Sequence, residues 1–208
     1  MNRPDLPEVV AILRGLAPER AVPAVGALVD AGIRAFEITM NSPGALTSIE
    51  RLAARYGADV RVGAGTVRSV DQVGQVAAAG GTFALSPHTD TGIIAACRES
   101  GLLSVPGAFT PTEIEHAWRS GADVVKVFPV QPAGPGYLRA VRDPLDDVPL
   151  LACGGLTAEV GRECLAAGCV SLGVGLGLFD ADAVGRDDWA ALGRSAAGYL
   201  EALGPRRP

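Results

Sequence analysis

Short apolar runs alternate with stretches of helical period from one end of the chain to the other. Eight runs read as strands: 9–13, 35–40, 60–64, 83–86, 103–106, 124–128, 150–153 and 171–174. They are short, partly β-branched and almost free of charge, the pattern of strands buried on both faces. Between them, positions such as Ala21, Val22, Val25, Leu28 and Val29 fit one apolar stripe of a helix. Start signals recur. Ser42-Pro43 and Thr110-Pro111 set a hydroxyl before a proline at the first helical position, and the spacings Ser69 to Gln72 and Thr110 to Glu113 match a capping box. Gly32, Gly57, Gly80, Gly101, Gly121 and Gly168 each follow a helical stretch and precede a strand, as left-handed C-caps do.

The first five of these glycines fall at intervals of 25, 23, 21 and 20 residues. That period holds one helix and one strand, so the strands run parallel. Eight such units predict a closed (β/α)8 TIM barrel, with residues 1–208 as one domain; the runner-up is an open doubly wound sheet. The 208 residues are ample for a self-sufficient core. A barrel of this kind places its chemistry at the C-terminal ends of its strands.

Composition narrows the class. Apolar residues are 48%, charged residues 20%, and the net charge is −5, which fits a globular chain and argues against a nucleic-acid partner. No run is long enough to span a membrane, and the first ten residues lack a signal pattern, so the expected compartment is the cytoplasm. The cysteines Cys97, Cys153, Cys164 and Cys169 form no C-x-x-C pair and read as buried thiols. His88 and His116 stand far apart in sequence, so no metal and no cofactor are expected. His116 reads as packing or surface, and His88 as a loop residue near the strand ends.

One count changes the picture. Of the 18 Lys and Arg residues, 17 are Arg, and the only lysine is Lys126, inside the strand Val124-Val125-Lys126-Val127-Phe128. A charged ammonium is expensive to bury, which favours the neutral amine, and a neutral amine attacks carbonyls. Glu37 interrupts another apolar strand, either as a structural ion-pair partner of Arg14 or Lys126, or as a general acid and base beside the amine. Arg14 ends the first strand, where a guanidinium fork suits a carboxylate. Thr66 follows Gly63-Ala64-Gly65. Glycine-rich ends at Gly154-Gly155 and at Gly173 and Gly175 resemble the frequent phosphate site of barrels, or serve tight strand-to-helix turns.

These residues, in this order and spacing, resemble the class I 2-keto-3-deoxy-6-phosphosugar aldolases. The matching pieces are Ala11-Ile12-Leu13-Arg14-Gly15, Glu37-Ile38, Gly63-Ala64-Gly65-Thr66-Val67, Ser86-Pro87, Pro106-Gly107, Lys126-Val127-Phe128-Pro129 and Gly154-Gly155, over about residues 8–180. The resemblance implies that Lys126 forms a Schiff base with the keto acid and that Glu37 moves the protons. It implies that Arg14, Asn41, Thr66, Pro87 and Phe128 hold the substrate, and that Gly154, Gly155, Gly173 and Gly175 face a phosphate. It further implies a homotrimer acting on a keto acid and an aldehyde phosphate. Asn41-Ser42-Pro43, where gluconate-type members carry Arg, and Gly134-Pro135 before Tyr137 resemble the galactonate-type branch. Two positions depart from that branch: Leu176 replaces a serine of the phosphate loop, and His88 replaces an asparagine. The competing readings are a gluconate-type or 4-hydroxy-2-oxoglutarate aldolase, a non-covalent phosphosugar isomerase or epimerase using Glu37 as a base, and a non-catalytic sugar-phosphate binder.

Overall fold

The computed structural model describes residues 5–204, so the reading of the first residues as free of a signal lies partly outside it. Nine strands and nine α-helices lie within the described residues, alternating except where the fifth strand runs into the sixth and the eighth helix into the ninth. The strands are β1 (Val9–Leu13), β2 (Ala35–Thr39), β3 (Arg61–Gly65), β4 (Phe83–Leu85), β5 (Leu103–Val105), β6 (Gly107–Ala108), β7 (Val125–Val127), β8 (Leu150–Cys153) and β9 (Ser171–Gly175). The helices are α1 (Pro18–Asp30), α2 (Ala45–Tyr56), α3 (Val70–Ala78), α4 (Thr91–Glu99), α5 (Pro111–Arg119), α6 (Pro135–Arg142), α7 (Ala158–Ala166), α8 (Leu176–Gly185) and α9 (Trp189–Leu203).

All strand pairs are parallel, in the order β5-β4-β3-β2-β1-β9-β8-β7-β6. The ninth strand is a division of the expected fifth. β5 pairs with β4, β6 pairs with β7, and Pro106 alone separates them. Proline has no N–H for a ladder, so the strand changes partner there. The Pro106 carbonyl still accepts from the Lys126 N–H at 2.8 Å, and the two halves join the ends of the sheet into a barrel.

Two cores follow from the alternation of side chains along each strand. A small inner cluster fills the barrel with Val10, Ala35, Phe83, Leu85, Val124 and Leu151 among others, and Cys153 lies at its upper edge. A larger outer cluster packs the other strand face against the helices, including Ala21, Val25 and Leu28 of α1.

The punctuation is as expected at most sites. The six glycines named as C-caps all have positive φ, between 54° and 105°. Thr110 makes the full capping box with Glu113. The Ser69 hydroxyl accepts from Gln72 N–H, but the Gln72 side chain reaches back to Arg68 N–H, one residue before the cap. Ser42 is a correction. Helix α2 starts at Ala45 behind Gly44, and the Ser42 hydroxyl instead accepts from Gly15 N–H at 2.9 Å and bonds Thr39 at 2.8 Å. A partner 27 residues away outcompetes the local cap. Helix α8 is broken at Asp180, whose carboxylate caps Ala183 N–H at 2.8 Å and restarts the helix. No helix among the described residues is long and apolar enough to cross a membrane. All four cysteines are free and buried.

Candidate active site

A cavity of about 390 Å³ opens at the C-terminal ends of the strands. That is the size of a small-molecule site. Its walls include Arg14, Thr66, Pro87, Lys126 and Phe128, contributed by four different strands or the turns after them. Gly154, Gly155, Gly173 and Gly175 line it from β8 and β9. Asn41 reaches it through Arg14, whose guanidinium donates to Asn41 Oδ1 at 3.0 Å and to Thr66 Oγ1 at 3.4 Å.

Lys126 is at the centre of β7 and only 6% exposed. Its Nζ lies 5.3 Å from the centroid of the Phe128 ring. Register on β8 sets Leu151 opposite Lys126, so Cys153 is the next inward residue, and its thiol feels the Lys126 charge. Burial pushes the Cys153 thiol up from its ordinary pKa, while the Lys126 charge pulls it back. Cys153 is therefore a neutral neighbour of the amine.

Glu37 is fully buried on β2, and neither of its carboxylate oxygens has a hydrogen-bond partner. It lies against Gly65 of β3, where a Cβ would collide with the carboxylate. Gly65 therefore supplies the space that Glu37 occupies. Burial raises the Glu37 pKa, against the downward pull of Lys126 and then Arg14. Among the described residues no ion pair joins Glu37 to either cation within 4.0 Å. Burial thus favours the protonated carboxyl, and the two cations favour the carboxylate.

Thr66 has φ of 57°, the left-handed region that a β-branched residue rarely enters. The strained backbone turns the end of β3 into the cavity mouth and aims the hydroxyl at Arg14. Gly154 and Gly155 also have positive φ, 104° and 71°, and a Cβ on Gly155 would meet the Gln131 side chain at 2.9 Å. Gly173 is different: it lies mid-strand, paired with Val10 and Cys153, and a Cβ there would press on Cys153 Sγ at 3.1 Å. It gives the cavity its depth.

His88 and His116 are exposed, and neither lines the cavity; the Ser86 hydroxyl donates to the His88 carbonyl at 2.6 Å. No group of three or more His, Cys, Asp or Glu among the described residues is arranged to hold a metal. Several lining residues were not singled out as site residues from sequence: Ile12, Cys153, Leu178 and Val184. Ile12 and Cys153 sit in strands buried on both faces, where the apolar pattern does not distinguish inward from outward. Val184 comes from the second half of α8, beyond the break at Asp180.

Comparison with known proteins bears on this geometry. The family model described as "Aldolase: KDPG and KHG aldolase" matches residues 3–195. A protein of Rhizobium meliloti (strain 1021) named probable 2-dehydro-3-deoxy-6-phosphogalactonate aldolase is 38% identical over 184 residues, 86% of this chain and 87% of that one. A solved structure described as native KDPGal superposes with a TM-score of 0.82 at 35% identity, covering 95% of this chain and 97% of the other. A KDPG aldolase from Legionella pneumophila, solved with pyruvate captured at low pH as a covalent carbinolamine intermediate, gives a TM-score of 0.84 at 26% identity, covering 92% and 93%.

Proposed function

The chain belongs to the KDPG and KHG aldolase family, and on that premise we propose that it is a class I enzyme cleaving 2-dehydro-3-deoxy-6-phosphogalactonate to pyruvate and D-glyceraldehyde 3-phosphate. The observation that carries this reading is a buried lysine and an Arg–Thr pair lining one cavity, with the unpartnered Glu37 carboxyl buried behind the lining and within reach of the charges of Lys126 and Arg14. The galactonate-type substrate is supported by the names of the Rhizobium relative and of the native KDPGal structure.

In this reading Lys126 Nζ attacks the C2 ketone to give a carbinolamine, which loses water to form the iminium. The iminium is an electron sink. Glu37 takes the C4 hydroxyl proton, the C3–C4 bond breaks, and its electron pair flows into the iminium as an enamine while the aldehyde leaves. Glu37 then returns the proton to C3. Water adds to the new iminium, and pyruvate leaves with the lysine regenerated. Arg14 and Thr66 hold the carboxylate, with Asn41 orienting the guanidinium. Pro87 and Phe128 wall the reacting carbons. Gly154, Gly155, Gly173 and Gly175 leave their backbone open to the phosphate end.

The free Glu37 carboxyl supports the two proton transfers, since a tight ion pair with Lys126 would hold the amine protonated. We place the reaction in the cytoplasm, where four buried free thiols stay reduced. The same reading includes a homotrimer, which sedimentation velocity tests; a species of one-chain mass would remove that part.

Borohydride trapping with pyruvate, read by intact mass and peptide mapping, tests the mechanism. One adduct on Lys126 is expected, and no adduct in a folded sample removes the Schiff base. Offering both C4 epimers of the 6-phosphorylated acid then tests the substrate. Faster cleavage of the gluconate epimer would overturn the galactonate assignment.

A further inference from the structure

The cavity has two chemically different ends. One end holds Arg14, Thr66 and Lys126, with Asn41 behind the guanidinium. At the other, beyond the backbone of Gly154, Gly155 and Gly175, the wall is Leu176, Leu178 and Val184. Arg14 and Lys126 are the only cations among the described lining residues. The proposed reaction commits both to the keto-acid half, Lys126 to C2 and Arg14 to the carboxylate. Among the described lining residues the far end then offers no side-chain cation, hydroxyl or amide, and Arg20, which donates to the Val184 carbonyl at 2.7 Å behind that wall, is paired with Asp187.

A phosphate dianion sheds strongly held water on entering a cleft, and charged side chains are what usually repay it. Here the described lining residues offer backbone N–H groups alone. The helix that begins at this end adds little. Its cap, Gly175, has no side chain, and only the single turn before Asp180 stands in line behind it. One turn carries a small part of the dipole of a full helix. An uncharged end sheds far less hydration, and Leu176, Leu178 and Val184 reward its apolar surface.

We infer that this site discriminates little for the phosphate, so that its substrate class extends to unphosphorylated 2-keto-3-deoxy sugar acids, held at the far end by shape and apolar contact. The inference rests on the Schiff-base reading of the keto-acid half. It is tested in the condensation direction on the full chain. The pyruvate enamine attacks the aldehyde carbon through C3, one C–C bond forms, and the aldehyde oxygen takes up the proton.

The measurement is kcat/KM for D-glyceraldehyde 3-phosphate against D-glyceraldehyde at saturating pyruvate. A ratio below about tenfold is expected, less than one charge-assisted hydrogen bond supplies. A ratio of tenfold or more overturns the inference. Leu176→Ser restores a hydroxyl donor at the apolar end and is expected to raise the ratio several-fold. A ratio unmoved in a folded variant overturns the assignment of this end to the distal group. Failure of the underlying reading has its own signature: no borohydride-trapped pyruvate adduct with either aldehyde absent.

Discussion

Glu37 is a fully buried carboxyl whose two oxygens bond to nothing, an arrangement that costs stability and is retained within reach of the Lys126 charge. The cost has a pH signature. Burial raises the folded-state pKa of Glu37, so the native state holds that proton more tightly than the unfolded chain does. The stability this proton contributes is fully present below the unfolded pKa of about 4.3 and is lost as pH rises through the raised value. Glu37→Gln stays neutral throughout. Its stability relative to wild type should therefore climb with pH across that window and then level off. Urea melts of both proteins at several pH values give the difference directly, and a flat difference would show that burial does not govern Glu37. Turnover of the variant should fall by about 10² to 10⁴. Thr66 stores strain of a different kind. Thr66→Gly relieves a left-handed backbone worth about 1–3 kcal/mol, offset by about 1 kcal/mol of glycine entropy. Stability should be unchanged or slightly higher while KM for pyruvate rises with the lost hydroxyl. A variant that is clearly less stable would mean that the hydroxyl, and not the turn, holds the end of β3.

Between strands, the site is built by what glycine leaves out. Gly65 of β3 makes room for the Glu37 carboxylate on β2, and Gly173 of β9 makes room for Cys153 on β8. The two positions differ in tolerance. A methyl on Gly65 overlaps the carboxylate, whereas one on Gly173 meets sulfur at 3.1 Å, a contact that a small shift relieves. Gly65→Ala should lose about 1–3 kcal/mol of stability and nearly all turnover, and Gly173→Ala should lose much less of both. Melting curves and initial rates on the pair decide this, and equal effects would remove the claim that Gly65 houses the carboxyl. The strands themselves were legible because most are apolar runs that follow a glycine in the left-handed region. The division of the fifth strand was not. A proline after Val105 reads as an end, and only the two neighbouring strands reveal that the chain continues with a new partner. Ser42 misled for a related reason: a hydroxyl before proline has the local form of a cap, but Gly15 N–H, supplied by the tertiary fold, takes it. Strand glycines told equally little, since a run buried on both faces hides which Cα faces inward.

Over the whole molecule, the barrel sets β1 between β2 and β9, so segments from opposite ends of the chain share one cavity rim. This is why the candidate residues were legible from sequence: each polar group stands at or near the end of an apolar strand, and closure brings those ends together. Of the far wall Leu176 was legible but Val184 was not, because it arrives through a helix break that depends on Asp180 capping Ala183 and bonding Ser195. The same global view isolates Lys126. It is the one lysine among 208 residues, and its side chain is reached through the cavity. An amine-directed reagent such as formaldehyde with cyanoborohydride therefore has two targets in the chain, the α-amine and Lys126. Loss of turnover should run in parallel with label on the Lys126 peptide and be indifferent to label on the N-terminal one. Pyruvate present during the reaction should divert Lys126 from the dimethyl label to a reduced pyruvate adduct, because cyanoborohydride reduces that imine as well, and leave the label on the α-amine unchanged. The labelled protein should melt as the unlabelled one does, since dimethylation adds little volume at a cavity wall. Full labelling of Lys126 with turnover retained would remove the lysine from the chemistry.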